Sequence, residues 1–152
     1  MARALLATLL CLFISLCAGS VTISVVAGTN ISGFADGTGT DAQFDYAHGV
    51  AAMRCSSCNL PWSYDVSMLY VADTRNHRIR SISVQSGDVS TVSTVAGSGT
   101  KSFGDGIGEA AHFDVPWGVA AHGDFVYVVD QFNNRVRQVR TVYRMVRHHA
   151  YT

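Results

Sequence analysis

The chain repeats itself, and this constrains its fold more than any single motif, because stacked units of one kind must bury their apolar faces on one another. Val26-Ala27-Gly28 returns 69 residues later as Val95-Ala96-Gly97. At the same offset Phe34 meets Phe103, Asp36-Gly37 meets Asp105-Gly106, and Ala42 meets Ala111. Phe44-Asp45 likewise meets Phe113-Asp114, and Gly49-Val50-Ala51-Ala52 meets Gly118-Val119-Ala120-Ala121. The offset then drops to 57. Tyr70-Val71-Ala72-Asp73 matches Tyr127-Val128-Val129-Asp130, and Asn76-His77-Arg78-Ile79-Arg80 matches Asn133-Asn134-Arg135-Val136-Arg137. The change of 12 marks an insertion in the first copy, within 53–68, which holds Cys55, Cys58, Pro61, Trp62 and Tyr64.

Within a copy the apolar residues come in short runs, not at helical spacing. The first copy has them at 49–52, 68–72, 78–84 and 89–96. The Val- and Tyr-rich runs at 68–72 and 89–96 predict buried strands. Run 78–84 alternates but mixes polar and apolar residues on both faces, which predicts a strand near a sheet edge. Turn residues separate the runs at 73–77, 86–88 and 97–108. Four antiparallel strands joined by tight turns make one blade of a β-propeller. The expected fold is all-β, with four-stranded antiparallel blades in an incomplete ring of about two. In that count, 22–28 is the last strand of a preceding blade, 49–97 a whole blade, and 118–142 three strands of the next. Two blades are too few to enclose a core. The chain therefore reads as a fragment of a longer propeller, the alternative being a ring shared by several copies. Unpaired blade edges favour self-association in either case.

The series V-A-G, G-F-x-D-G-x-G, A-x-F, G-V-A, Y-V-A-D and N-H-R-I-R, across about residues 25–139, strongly resembles the NHL repeat. The resemblance implies one four-stranded blade per repeat, with typically four to eight blades in a complete ring. The copies depart from one another in three ways. Ala47-His48 stands where the second copy has Pro116-Trp117, and only the first copy carries the insertion. Ser102 precedes Phe103 where Gly33 precedes Phe34, a change expected to distort the second turn.

The N-terminus reads as an address. Arg3 precedes a thirteen-residue apolar run, Ala4 to Leu16, and small residues follow at 17–20. This describes a secretory signal peptide over 1–19, cut after Gly19. The run is short for a membrane span, which needs about 20 apolar residues; an uncleaved N-terminal anchor is the alternative. The remaining order is a propeller segment over 20–142, with repeats at about 22–97 and 95–142, and a divergent tail at 143–152. Export makes the Asn30-Ile31-Ser32 sequon usable for glycosylation. It also makes a local Cys55–Cys58 disulfide the expected state of that pair, ahead of a redox pair or a zinc site.

No catalytic constellation stands out. Asp73 and Asp130 each end a strand three residues before an Asn, where a carboxylate fixes a turn by accepting backbone N–H bonds. Arg78 and Arg135 are their expected ion-pair partners. Asp36 and Asp105 sit in Asp-Gly turns, where glycine permits positive φ and where Ala42, Phe44, Ala111 and Phe113 pin the loop to the sheet. Those turns lack the further acids of a calcium loop and the Lys-Ser/Thr of a phosphate loop. Neither calcium nor zinc is supported, and no cofactor is expected. His48, His77, His112 and His122 are scattered; only His48, just before a channel-lining strand, fits a metal-bearing channel.

Trp62 and Tyr64, in the loop closed by the cysteines, are the expected contact surface. Eleven basic and eleven acidic residues cancel, so no overall field draws nucleic acid. All eleven acids precede residue 135, and the arginines after it (135, 137, 140, 144, 147) read as a solvated strand edge. The function expected is a secreted, non-catalytic scaffold that binds protein or glycan through its blade loops. The alternative is a fragment of a propeller enzyme, a metal-dependent lyase or a lactone/ester hydrolase, whose site lies mostly in missing blades.

Overall fold

Eight strands and three short 3₁₀ turns make up the regular structure of the computed structural model, which describes Val21 and residues 23–54, 66–84 and 90–141. The leader, the insertion with Cys55, Cys58, Trp62 and Tyr64, and the tail lie outside those residues. The strands are β1 (Gly37–Thr38), β2 (Ala47–Arg54), β3 (Val66–Asp73), β4 (Arg78–Ser83), β5 (Thr91–Ala96), β6 (Pro116–His122), β7 (Phe125–Asp130) and β8 (Arg135–Arg140). The first sheet runs β1-β5-β4-β3-β2 and the second β6-β7-β8, with every neighbouring pair antiparallel. The protein is thus all-β: one four-stranded propeller blade, extended by the two-residue β1, followed by three strands of a second. The described residues do not close a ring.

The pleat explains the stacking. Along β3, Tyr70 and Ala72 point one way and Val71 the other, because successive side chains alternate between faces. Tyr70, Ala72 and Ile79 pack with Val126 and Val128 of β7 and with Ala111 and Phe113 of the loop between the blades. Burying one such Val or Ile side chain contributes about 1.5–3 kcal/mol. On the opposite face Val71, Ile82 and Val92 pack under Ala42, with Phe44 and Ala27 against them. β6 lies beside β2 and β3, so the innermost strands of the two blades are in contact.

Four expectations are corrected. β4 is not an edge strand: it lies between β3 and β5, and Ile79 through Ile82 are buried. The polar residue that made its pattern ambiguous, Arg80, is buried as part of an ion pair. β5 is the half-exposed strand, with only Val92 and Ala96 buried. Residues 23–28 form no strand, and they pair with none of the strands among the described residues. The Ser102 change leaves the second turn undistorted. Ser102 N–H donates to Phe113 O at 3.3 Å, as Gly33 N–H donates to Phe44 O at 3.1 Å.

A clamp ties the two halves of each repeat. Arg80 donates to Asp73 Oδ2 at 2.7 Å and to Asp36 Oδ1 at 2.6 Å, and also to the carbonyls of Ala35 and Gln43. Asp73 Oδ1 accepts the Asp45 N–H at 2.8 Å, and Asn76 Nδ2 donates to both its oxygens. The second copy reproduces this with Arg137, Asp130, Asp105, Asn133 and the Asp114 N–H. The ion-pairing arginines are therefore Arg80 and Arg137, in place of Arg78 and Arg135. Arg78 stands directly opposite Asp73, but its guanidinium runs past the carboxylate to the carbonyls of Asn76 and Ser98. There it covers the Phe34 ring, 3.8 Å from its centroid; Arg135 covers Phe103 at 4.0 Å.

Candidate functional site

The clamp fixes where each innermost strand begins. With the Asp45 and Asp114 N–H groups held by Asp73 and Asp130, the next residues, Tyr46 and Val115, adopt φ of 60° and 55°. Left-handed backbone at a non-glycine residue costs about 1–3 kcal/mol, and it persists only where surrounding bonds enforce it. Here Thr74 Oγ1 donates to Pro116 O at 2.7 Å, and Val115 N–H donates to His77 Nδ1 at 3.2 Å. Burial holds the His77 pKa below its usual 6.5, against the opposing pull of the Asp114 carboxylate. The imidazole is therefore kept as the neutral acceptor that this bond needs.

Each strand then bulges at its second residue. Ala47 pairs with Asp73 and Val50 with Val71, so three steps on β2 oppose two on β3; Pro116–Val119 repeats this against Asp130–Val128. A bulge adds one residue, bends the strand and re-aims a side chain. His48 and Trp117 occupy these bulges. Gly49 lets their strands approach: a Cβ built there would lie 2.6 Å from Trp117 O and 2.8 Å from Val119 N.

The result is an aromatic platform at one end of the innermost strands. His48 stacks on Trp117 with ring centroids 3.5 Å apart and 26° between planes. Tyr46 lies 5.1 Å from His48, tilted at 55°. The Arg75 guanidinium sits 4.2 Å from the Tyr46 ring centroid. Tyr46 is 57% and Trp117 42% exposed, so both rings keep a free surface. The place of Arg75 in the second repeat is taken by Phe132, with Lys101 Nζ 5.3 Å from its ring. Flat π faces beside a guanidinium suit ligands with C–H faces, aromatic rings or hydrogen-bond acceptors.

The sequence-derived site residues fall elsewhere. Asp36, Asp73, Asp105 and Asp130 belong to the clamps, Asn30 is exposed, and Trp62, Tyr64, Cys55 and Cys58 lie outside the described residues. Among the described residues no three His, Cys, Asp or Glu side chains gather as a metal-ligand set. His48 was singled out in the sequence for its place just before a strand start. Its pairing with Trp117 was also open to view, since the two are 69 residues apart and so hold one place in the repeat.

Fold and platform define the class: an arc of β-propeller blades carrying an exposed aromatic surface at the end of its innermost strands. Its repeats are similar to those of NHL-repeat proteins. The chain is 34% identical over 84 residues to NHL repeat-containing protein 2 of Homo sapiens and 33% identical to that of Bos taurus. Each match spans 55% of this chain and 10% of the relative, so the chain covers about a tenth of those proteins. No protein-family model matches the chain. Among solved structures it resembles auxiliary nutrient binding proteins of Bacteroides ovatus ATCC 8483 (25% identity, TM-score 0.62) and Bacteroides thetaiotaomicron VPI-5482 (24%, TM-score 0.60). Both likenesses cover 74% of this chain and 27% of the other. A putative phosphatase of the latter organism aligns at a TM-score of 0.59 and 22% identity, over 80% of this chain and 27% of its own.

Proposed function

We propose that this chain is a non-catalytic binding scaffold, a segment of an NHL-repeat propeller that takes a glycan or protein ligand on its blade loops. The observation that carries this reading is the Arg75–Tyr46–His48–Trp117 platform, held on strained, bulged backbone yet open to solvent. Backbone strain of that kind gathers at ligand sites, and aromatic rings beside arginine make strong contact residues. The likeness to two auxiliary nutrient binding proteins agrees with a binding module in general. Trp62 and Tyr64 supply a second contact from the insertion.

The test is titration of the chain with a panel of soluble oligosaccharides and, separately, with peptides containing Pro and aromatic residues. Trp117→Ala and Tyr46→Ala are expected to weaken the ligand that binds by at least about tenfold, or ~1.4 kcal/mol. A ligand whose affinity both substitutions leave intact refutes the platform. If Trp62→Ala then weakens it, the site belongs to the insertion.

The chain is also proposed to be exported, with the leader removed after Gly19, Asn30 glycosylated and Cys55 joined to Cys58. Intact-mass analysis of chain made in a eukaryotic secretory host tests all three. The expected product begins at Ser20, loses mass on glycosidase treatment, and gains two hydrogens on reduction. Retention of residues 1–19 supports the uncleaved anchor instead.

A further inference from the structure

The two blades are copies of one unit, so what is covered in the first and bare in the second marks what the second lacks. In the first sheet β5 lies between β1 and β4. Val92 of β5 pairs with Gly37 on one side and Ile82 on the other, and it is buried. In the second blade the counterparts Gly106-Ile107 and Arg137–Arg140 line a groove of about 470 Å³, with Ala111 also lining it. Among the described residues no strand lies beyond β8. The blade's broad face is bare as well. Tyr70, Ala72 and Ile79 are 0% exposed beneath the following blade, whereas their counterparts Tyr127, Val129 and Val136 are 38%, 44% and 71% exposed.

The chain carries a strand that matches the gap. Thr22-Ile23-Ser24-Val25-Val26-Ala27-Gly28 is identical to Thr91–Gly97 at five of seven positions, with Ile23 for Val92 a change of one methylene. Ile23 is 98% exposed, and 23–26 have no strand partner among the described residues. This segment is tied to the near end of its own arc. Gly28 N–H donates to Gly39 O at 3.0 Å, as Gly97 N–H donates to Gly108 O at 3.1 Å. The groove opens at the far end, on the second blade.

We propose that residues 23–28 of a second copy of this chain fill the groove beside β8, and that the second copy's first blade covers Tyr127, Val129 and Val136. The repeat sets the register. Ile23 of the second copy would lie between Gly106 and Val139, Ser24 opposite Gln138, and Val25 opposite Arg137. The Val25 N–H would meet the Asp105 carboxylate, as Thr94 N–H meets Asp36 Oδ2 at 3.1 Å. Added strands gain affinity from main-chain hydrogen bonds and specificity from alternate side chains. The contact is head-to-tail, so copies close into a ring wherever the rotation permits. Two to four chains would supply the roughly four to eight blades of a complete propeller.

Light scattering of the full chain, secreted from an oxidising host and followed over a range of concentrations, tests the proposal. The expected wild-type species contains two to four chains. Val25→Pro removes the N–H meant for Asp105, and because Val25 is exposed and strandless in the single chain, its circular dichroism per residue should keep the β-rich shape. Its mass is expected to fall to that of one chain. A wild type that stays a single chain at every concentration, or an assembly whose mass Val25→Pro leaves unchanged, overturns the proposal.

Discussion

His48 lies flat on Trp117, ring centroids 3.5 Å apart, although 69 residues separate them in the chain. Both occupy the bulge at the start of an innermost strand, so the stack joins the same place in successive blades. An aromatic pair contributes about 0.5–1.5 kcal/mol beyond the area it buries. A double-mutant cycle of His48→Ala and Trp117→Ala, read by urea unfolding, is expected to give a coupling energy in that range. A coupling near zero would show that the platform is not organised in solution.

The inner and outer acids of the clamps are unequal. Asp73 and Arg80 are both fully buried, whereas Asp105, the outer partner of Arg137, is largely exposed. Removing one member of a buried pair strands the other charge and costs about 3–5 kcal/mol, while an exposed pair is worth within about 1 kcal/mol. Asp73→Ala should lower the urea midpoint far more than Asp105→Ala. Comparable midpoints would contradict the burial of the first pair.

Glycines at one place in the repeat should also diverge. A Cβ at Gly49 meets backbone atoms at 2.6–2.9 Å, but at Gly118 it meets only the Val129 side chain at 3.6 Å. Gly49→Ala forces the innermost strands apart, at an expected cost of about 1–3 kcal/mol. Gly118→Ala should be neutral or stabilising by up to about 1 kcal/mol, since alanine gives up less freedom on folding. Thermal melts of the two variants check this; a larger loss at Gly118 would reverse the assignment of the close approach.

His77 links stability to pH. Its folded pKa lies below its usual 6.5 because burial disfavours the charged ring. The unfolded chain therefore binds more protons between the folded value and 6.5, and stability rises with pH across that window. The contribution should be complete above pH 6.5, decline as pH falls below it, and stop changing once pH is under the folded value. His77→Asn places there the residue found at Asn134, which tolerates positive φ. Its unfolding midpoint is expected to vary less than the wild type's between pH 7.5 and 5.5. An unchanged slope would assign the effect to another group.

Much of the architecture was legible in the order of residues. The offsets of 69 and 57 reveal two copies of one unit, and the spacing of short Val- and Tyr-rich runs between Gly/Asp turns reveals strands. These are local signals, repeated, and short apolar runs between turn residues suffice to mark strands. What the tertiary structure alone decided concerns partners far apart in the chain. Arg78 and Arg80 share a parity, so no pattern distinguishes them; the fold chose Arg80 because Asp36, 44 residues away, closes over it. β4 looked like an edge because a buried arginine reads as a surface residue until its carboxylates are in place. Tyr46, His48, Arg75 and Trp117 belong to different turns and strands. They become one surface only when Gly49 lets two backbones meet and two bulges turn His48 and Trp117 toward each other.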